Sequence, residues 1–168
     1  ENSFDGYEPV SSWITVGDDA SGNPAAAVEP NSGSILPVAD ADGHYTLTNI
    51  AKTTSLTLQK TYNGVITGKA VFQITENGST LADSIVAVAD GNNNYTFDNL
   101  QYGKSYTVVE DAPRGYEPVI FTINVLLGND KEPTAVIQNV KDEDGNLIDD
   151  DTLATMFKKL DRTTWQLE

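Results

Sequence analysis

Cysteine is missing from all 168 residues. That removes thiolate nucleophiles, Cys-based zinc sites and disulfide staples. Histidine occurs once, as His44. A two-His metal site therefore has no second member, and a Ser–His–Asp triad rests on one candidate. Basic residues are scarce: 10 Lys and Arg stand against 25 Asp and Glu, for a net charge of −15. Phosphate backbones are bound by clustered cations, so no nucleic-acid partner is expected, and an anionic membrane surface repels such a chain. No apolar run approaches the roughly 20 residues of a membrane span, so no membrane insertion is expected. Glu1 is not followed by a basic and then an apolar stretch, so any export signal is expected outside these residues. The length suits one or two domains with a buried core.

What remains is β texture. Ser55-Leu56-Thr57-Leu58-Gln59-Lys60, Ala70-Val71-Phe72-Gln73-Ile74, Tyr95-Thr96-Phe97 and Ser105-Tyr106-Thr107-Val108-Val109-Glu110 alternate apolar and polar residues. Period two sets one face on a core and the other in water. Asn63-Gly64, Asn77-Gly78, Asp90-Gly91, Gly128-Asn129-Asp130 and Asp144-Gly145 supply turns between the runs. The pattern predicts an all-β chain of sandwich or barrel type. One segment differs. Leu153, Met156, Phe157 and Leu160 fall at helical spacing, with three Asp ahead of them and Lys158, Lys159 and Arg162 behind. The spacing predicts a short amphipathic helix over 149–162, followed by a final strand at Thr163–Glu168.

The chain also echoes itself. Gly6-Tyr7-Glu8-Pro9-Val10 recurs as Gly115-Tyr116-Glu117-Pro118-Val119, and in the same register Glu1 matches Glu110. At another offset, Ser34–Asp40 resembles Ser84–Asp90, and Tyr45–Ile50 resembles Tyr95–Leu100. Tandem related β modules are expected: a partial N-terminal module over 1–55, a second over 56–140, and a C-terminal extension over 141–168. Gly17–Gly33 reads as a long loop inside the first module. Thr163–Glu168 resembles the strand that precedes the second Gly-Tyr motif. It either completes the first module, in the same chain or a neighbour, or begins a third.

Residues 60–139 resemble a known family. Asp90-Gly91, Tyr95-Thr96-Phe97, Asn99-Leu100, Gly103, Tyr106, Glu110 and Ala112-Pro113-Arg114-Gly115-Tyr116 follow the pattern of Cna B-type (SpaA-like pilin) domains. These are immunoglobulin-like, prealbumin-like β-sandwich modules of Gram-positive surface proteins. The resemblance implies an extracellular, cell wall-anchored protein whose partners are the neighbouring modules of its own chain. It also implies an intramolecular isopeptide bond. In that scheme Lys60 on the first strand attacks Asn139 on the closing strand, and Glu110 carries the proton. A neutral Lys amine is the nucleophile, and burial favours that form. A buried carboxyl shuttles the proton and polarises the amide. The bland readings are an exposed Lys60, a surface Glu110 and a turn Asn139, and Asn124 competes as acceptor. Glu1 has no Lys on a preceding strand, so no bond is expected in the first module.

Weaker signals are set beside these. Asp142, Asp144, Asn146 and Asp151 resemble part of a calcium loop, but Val140 occupies its first ligand position. A solvated acidic stretch leading into a helix accounts for them, and no metal or cofactor is expected. Asn77-Gly78-Ser79 and Asn94-Tyr95-Thr96 fit glycosylation sequons yet suit turns. Trp13, Trp165, Tyr7, Tyr62, Tyr102 and Tyr116 share no convincing face for a sugar platform. Two function classes follow. One is a structural stalk or pilin-type module. The other is an adhesin for a host or matrix protein or a glycan, or an accessory carbohydrate-binding module, working through loops. Enzymatic action on an external substrate is not expected.

Overall fold

The computed structural model describes residues 4–9, 12–30, 38–42, 44–46, 48–64, 68–80 and 84–168. The chain divides into two units, Glu1–Lys52 and Thr53–Glu168. Among the described residues the fold is all-β apart from one short helix.

In the first unit, β1 (Ser12–Asp18) pairs antiparallel with β2 (Pro24–Pro30), and β3 (Val38–Ala39) with β4 (Tyr45–Thr46). β2 falls where the Gly and Pro content suggested a loop. Ala25–Val28 are compatible with extended backbone, and Pro24 and Pro30 sit at the ends, where a missing N–H costs least. Residues 31–33 of that expected loop, and Ser34–Pro37 of the echo, lie outside the described residues. Among the described residues of this unit no hydrophobic side chain is buried.

The second unit is a sandwich of two sheets. Its strands are β5 (Thr53–Lys60), β6 (Val71–Glu76), β7 (Ile85–Val88), β8 (Asn94–Gln101), β9 (Ser105–Asp111), β10 (Ile120–Leu127), β11 (Pro133–Lys141), β12 (Phe157–Lys159) and β13 (Thr164–Leu167). One sheet runs β11-β10-β9-β6-β7 and the other β12-β13-β5-β8. Alternation sets the inner faces: Leu56 and Leu58, Phe72 and Ile74, Tyr95 and Phe97, Tyr106 and Val108, Phe121, Ile123 and Val125 are all buried. Phe72 meets Tyr95 edge-to-face at 4.6 Å, and Phe121 meets Phe157 at 5.4 Å.

The C-terminal segment is part of this core rather than an appendage. Leu167 is fully buried, and β13 lies parallel to β5 with Leu167 opposite Lys60. It belongs to the second unit. The helix α1 covers only Asp150–Met156. Asp149 caps it, accepting from the Thr152 amide at 3.0 Å. It stops early because Phe157 turns extended and buries its ring against Phe121. Leu160, assigned by spacing to the apolar face, is exposed.

The sequence echo is also a structural one. Ile14 faces Val28, Val16 faces Ala26 and Asp18 faces Pro24 in the first hairpin. Ile123 faces Ile137, Val125 faces Ala135 and Leu127 faces Pro133 in the second. Each position in β10–β11 lies as far along the chain from its twin as Gly115 does from Gly6. The loops agree too: Asp19 N donates to Asn23 O at 2.8 Å, and Gly128 N to Glu132 O at 2.9 Å. At the left-handed loop position stand Gly22, φ 78°, and Lys131, φ 64°. The second echo holds in its turn: the Asp40 and Asp90 amides each donate 2.9 Å bonds, to His44 O and Asn94 O.

Candidate functional site

Two charged residues are buried among the described residues of the sandwich, Lys60 at 5% and Glu110 at 3% exposure. Lys60 is the last residue of β5, and alternation from Leu56 and Leu58 points it inward. Glu110 follows Tyr106 and Val108 on the inner face of β9. The two strands belong to different sheets, so the pair spans the core. Lys60 Nζ lies 3.1 Å from Glu110 Oε1 and donates a long bond of 3.5 Å to Oε2. Oε1 accepts no aligned hydrogen bond, so that contact is Coulombic alone. Burial pushes the Glu110 carboxyl above its ordinary pKa, and Lys60 opposes part of the rise.

Aromatic groups wall this pair. The Tyr62 ring lies 5.6 Å from Lys60 Nζ, and Tyr116 packs on Tyr62 edge-to-face at 5.3 Å. Tyr95 donates from its hydroxyl to Ala70 O at 2.8 Å, and burial pushes its pKa up. Sequence reading missed Tyr62 as part of the site. Its position two residues after Lys60 was the available signal, but the strand ends at Lys60, so alternation did not carry to it.

The expected acceptors are placed elsewhere. Asn139 is exposed. It sits at φ 51° where the β10–β11 register shifts between Ile120 and Thr122. Ala135 and Ile137 point inward, but the bulge gives two successive exposed residues, Gln138 and Asn139, before Val140 returns to the core. Asn124 faces outward, accepting from Ser105 Oγ and donating to Gln138 Oε1 at 2.7 Å. The strand beside β5 in parallel is β13 rather than β11, and it presents Leu167, with no carboxyl or amide, next to Lys60. The structure thus brings together Lys60 and Glu110 and leaves Asn139 apart from them. Glu1, the counterpart of Glu110, lies outside the described residues.

The other candidates resolve into turns. Asp142 Oδ1 accepts from the Asn146 amide at 2.8 Å, as Asp90 does from Asn94 and Asp19 from Asn23. The calcium-like stretch is one copy of this recurring Asx turn. Asp40, Asp42 and His44 place donor atoms within 4.8 Å of one another, but all three are exposed and the same turn explains their closeness. A cleft of about 440 Å³ lies along β7 and β8, lined by Ile74, Ile85, Val86 and Leu100 with Glu76 and Asp98.

The family description of the SpaA prealbumin-like fold domain matches residues 54–141. No curated protein and no solved structure matches the chain.

Proposed function

The chain belongs to the SpaA prealbumin-like fold family, and from that premise we propose that it is a structural module of a Gram-positive surface or pilin protein. Its place is outside the cell, joined end to end with neighbouring modules. The observation that supports this reading is the closed sandwich whose two sheets are tied across the core by Lys60 and Glu110. A stalk needs a shell that resists shear between sheets, and a buried ion pair resists separation because each charge alone would be stranded in a poor solvent. The test is mechanical. Pulled between its ends, Thr53–Glu168 within the full chain should unfold in one cooperative step. Lys60→Met should lower the force. Gradual yielding without a peak, or an unchanged force in the variant, would overturn this reading.

The cross-link belongs to the same proposal as its chemical extension. The bond joins Lys60 Nζ to Asn139 Cγ, the amide C–N bond of Asn139 breaks, and ammonia leaves with the proton that Glu110 relays. The burial of Lys60 against Glu110 favours this chemistry. It requires the bulge at Asn139 to turn inward. Intact mass decides it: a protein one ammonia lighter than its sequence carries the bond, and a full mass means the sheets are held by packing and the ion pair alone.

A further inference from the structure

Of all residues in the chain 21% are charged, yet the outer face of the β11-β10-β9-β6-β7 sheet carries no charge between its rims. Alternation turns Phe72, Val108 and Ile123 inward, so their strand neighbours face out. The registers align these neighbours into rows across the strands. In one row Gln138 lies opposite Thr122, Thr122 opposite Thr107, and Thr107 opposite Thr75, whose hydroxyl bonds Ser84 Oγ at 2.6 Å. In the row beside it Ser105 Oγ donates to Asn124 Oδ1, and Asn124 Nδ2 reaches across to Gln138 Oε1 at 2.7 Å. On the other side Ile120, Val109, Gln73 and Val86 form a mostly aliphatic row, with Val109 40% and Val86 55% exposed. Charges stand at the rims, as the Lys104–Glu76 pair at one end of the strands and Asp111 and Lys141 at the other.

We propose that this face is a platform for a neutral, linear β-1,4-glucan from outside the cell, lying across the strands. Such a chain is a flat ribbon with hydroxyls along its edges and C–H groups on its faces. The hydroxyl and amide rows meet the ribbon's edge, and the aliphatic row meets its C–H face. Side-chain bonds already hold Thr75, Ser105 and Asn124 in place, so binding has little left to order. They leave the second N–H of the Asn124 amide, and both of the Gln138 amide, for sugar hydroxyls. Area and charge argue against other occupants. Five strands at about 4.8 Å, over about 17 Å of strand, give roughly 400 Å², half of the ~800 Å² per partner in a stable protein complex. A second copy also brings another −15, and cell-wall polymers rich in phosphate or carboxylate are repelled in the same way. A neutral glucan needs only a strip of surface and meets no such repulsion.

The test titrates the full chain with cellohexaose and follows the side-chain amides of Asn124 and Gln138 by NMR. The expected result is a saturable shift of both. Gln138→Ala and Val109→Asp, at exposed positions, should each weaken binding about tenfold. Gln59→Ala, on the outer face of the other sheet, should leave it unchanged. The absence of saturation up to about 10 mM sugar overturns the proposal. So do shifts confined to the other sheet or to the loops, and so does equal binding of polygalacturonate, an acidic chain. Shifts that grow with protein concentration without sugar also overturn it, since a second copy then covers the face.

Discussion

β1–β2 and β10–β11 are the same hairpin twice, with one register, one loop geometry and opposite burial. Ile123 and Val125 are sealed by the facing sheet, while Ile14 and Val16 stand in solvent. Local sequence therefore sets turn and pairing, but burial is decided by what lies across the apolar face. The twins also part at one point. Pro30 pairs with Ser12 in regular register, whereas Asn139, its counterpart, sits in a left-handed bulge that proline, with its fixed negative φ, cannot enter.

The largest expected effect tests what the second region has and the first has not been given. Lys60→Met leaves the buried Glu110 carboxyl without its cation and should cost about 3–5 kcal/mol in urea unfolding. The double variant Lys60→Met with Glu110→Leu should recover most of that loss. A single variant within about 0.5 kcal/mol of wild type would mean water reaches the pair.

Next comes the direct comparison of twins. Ile123→Ala opens a cavity against Phe121 and its neighbours and should cost about 2–5 kcal/mol. Ile14→Ala removes a side chain that is already solvated and should stay within about 0.5 kcal/mol. Equal losses at both positions would show that the first hairpin is covered in solution.

Much of the second unit was legible because its strands alternate cleanly: Leu56, Leu58 and Lys60, or Tyr106, Val108 and Glu110, assign their faces by period two. That same period turns Lys60 and Glu110 inward, whereas their association was implied by the family resemblance alone. At Asn139, named by the resemblance, a bulge inserts one residue and reverses the phase, and nothing in Ile137-Gln138-Asn139-Val140 announces it beyond an Asn that tolerates positive φ. The helix was overextended because helical spacing alone cannot see that Phe157 has an aromatic partner across the core. β2 was missed because Ala and Pro are poor strand formers, and its pairing is supplied by β1.

A smaller effect is expected at the point where the twins part. Asn139→Gly keeps the left-handed bulge available and removes an exposed side chain, so stability should change by less than about 0.5 kcal/mol. A loss of several kcal/mol together with a gain of one ammonia in mass would instead identify Asn139 as the cross-link acceptor, and would mean that the bulge turns inward when the bond forms.

The smallest effect is a slope with pH, and the two regions differ in its sign. The Asp19 carboxylate of the first hairpin accepts amide bonds from Asn23 and Ser21 in its turn, which hold its pKa below 3.8. A depressed folded pKa gives stability that is present above 3.8 and lost as pH falls through the folded value. Asp90 and Asp142 act the same way in the second unit. Glu110 runs against them. Burial raises its folded pKa above the ordinary 4.5, so the folded state holds its proton more tightly than the unfolded chain does. Its contribution is full below 4.5 and is lost as pH rises through the folded value. Wild type should therefore lose stability relative to Glu110→Gln as pH climbs from 4.5 toward neutrality, after the shared turn carboxylates cancel in the difference. Urea midpoints for both proteins across that range give the slope. Parallel curves would mean that Glu110 titrates alike in both states, and that Lys60 fully offsets its burial.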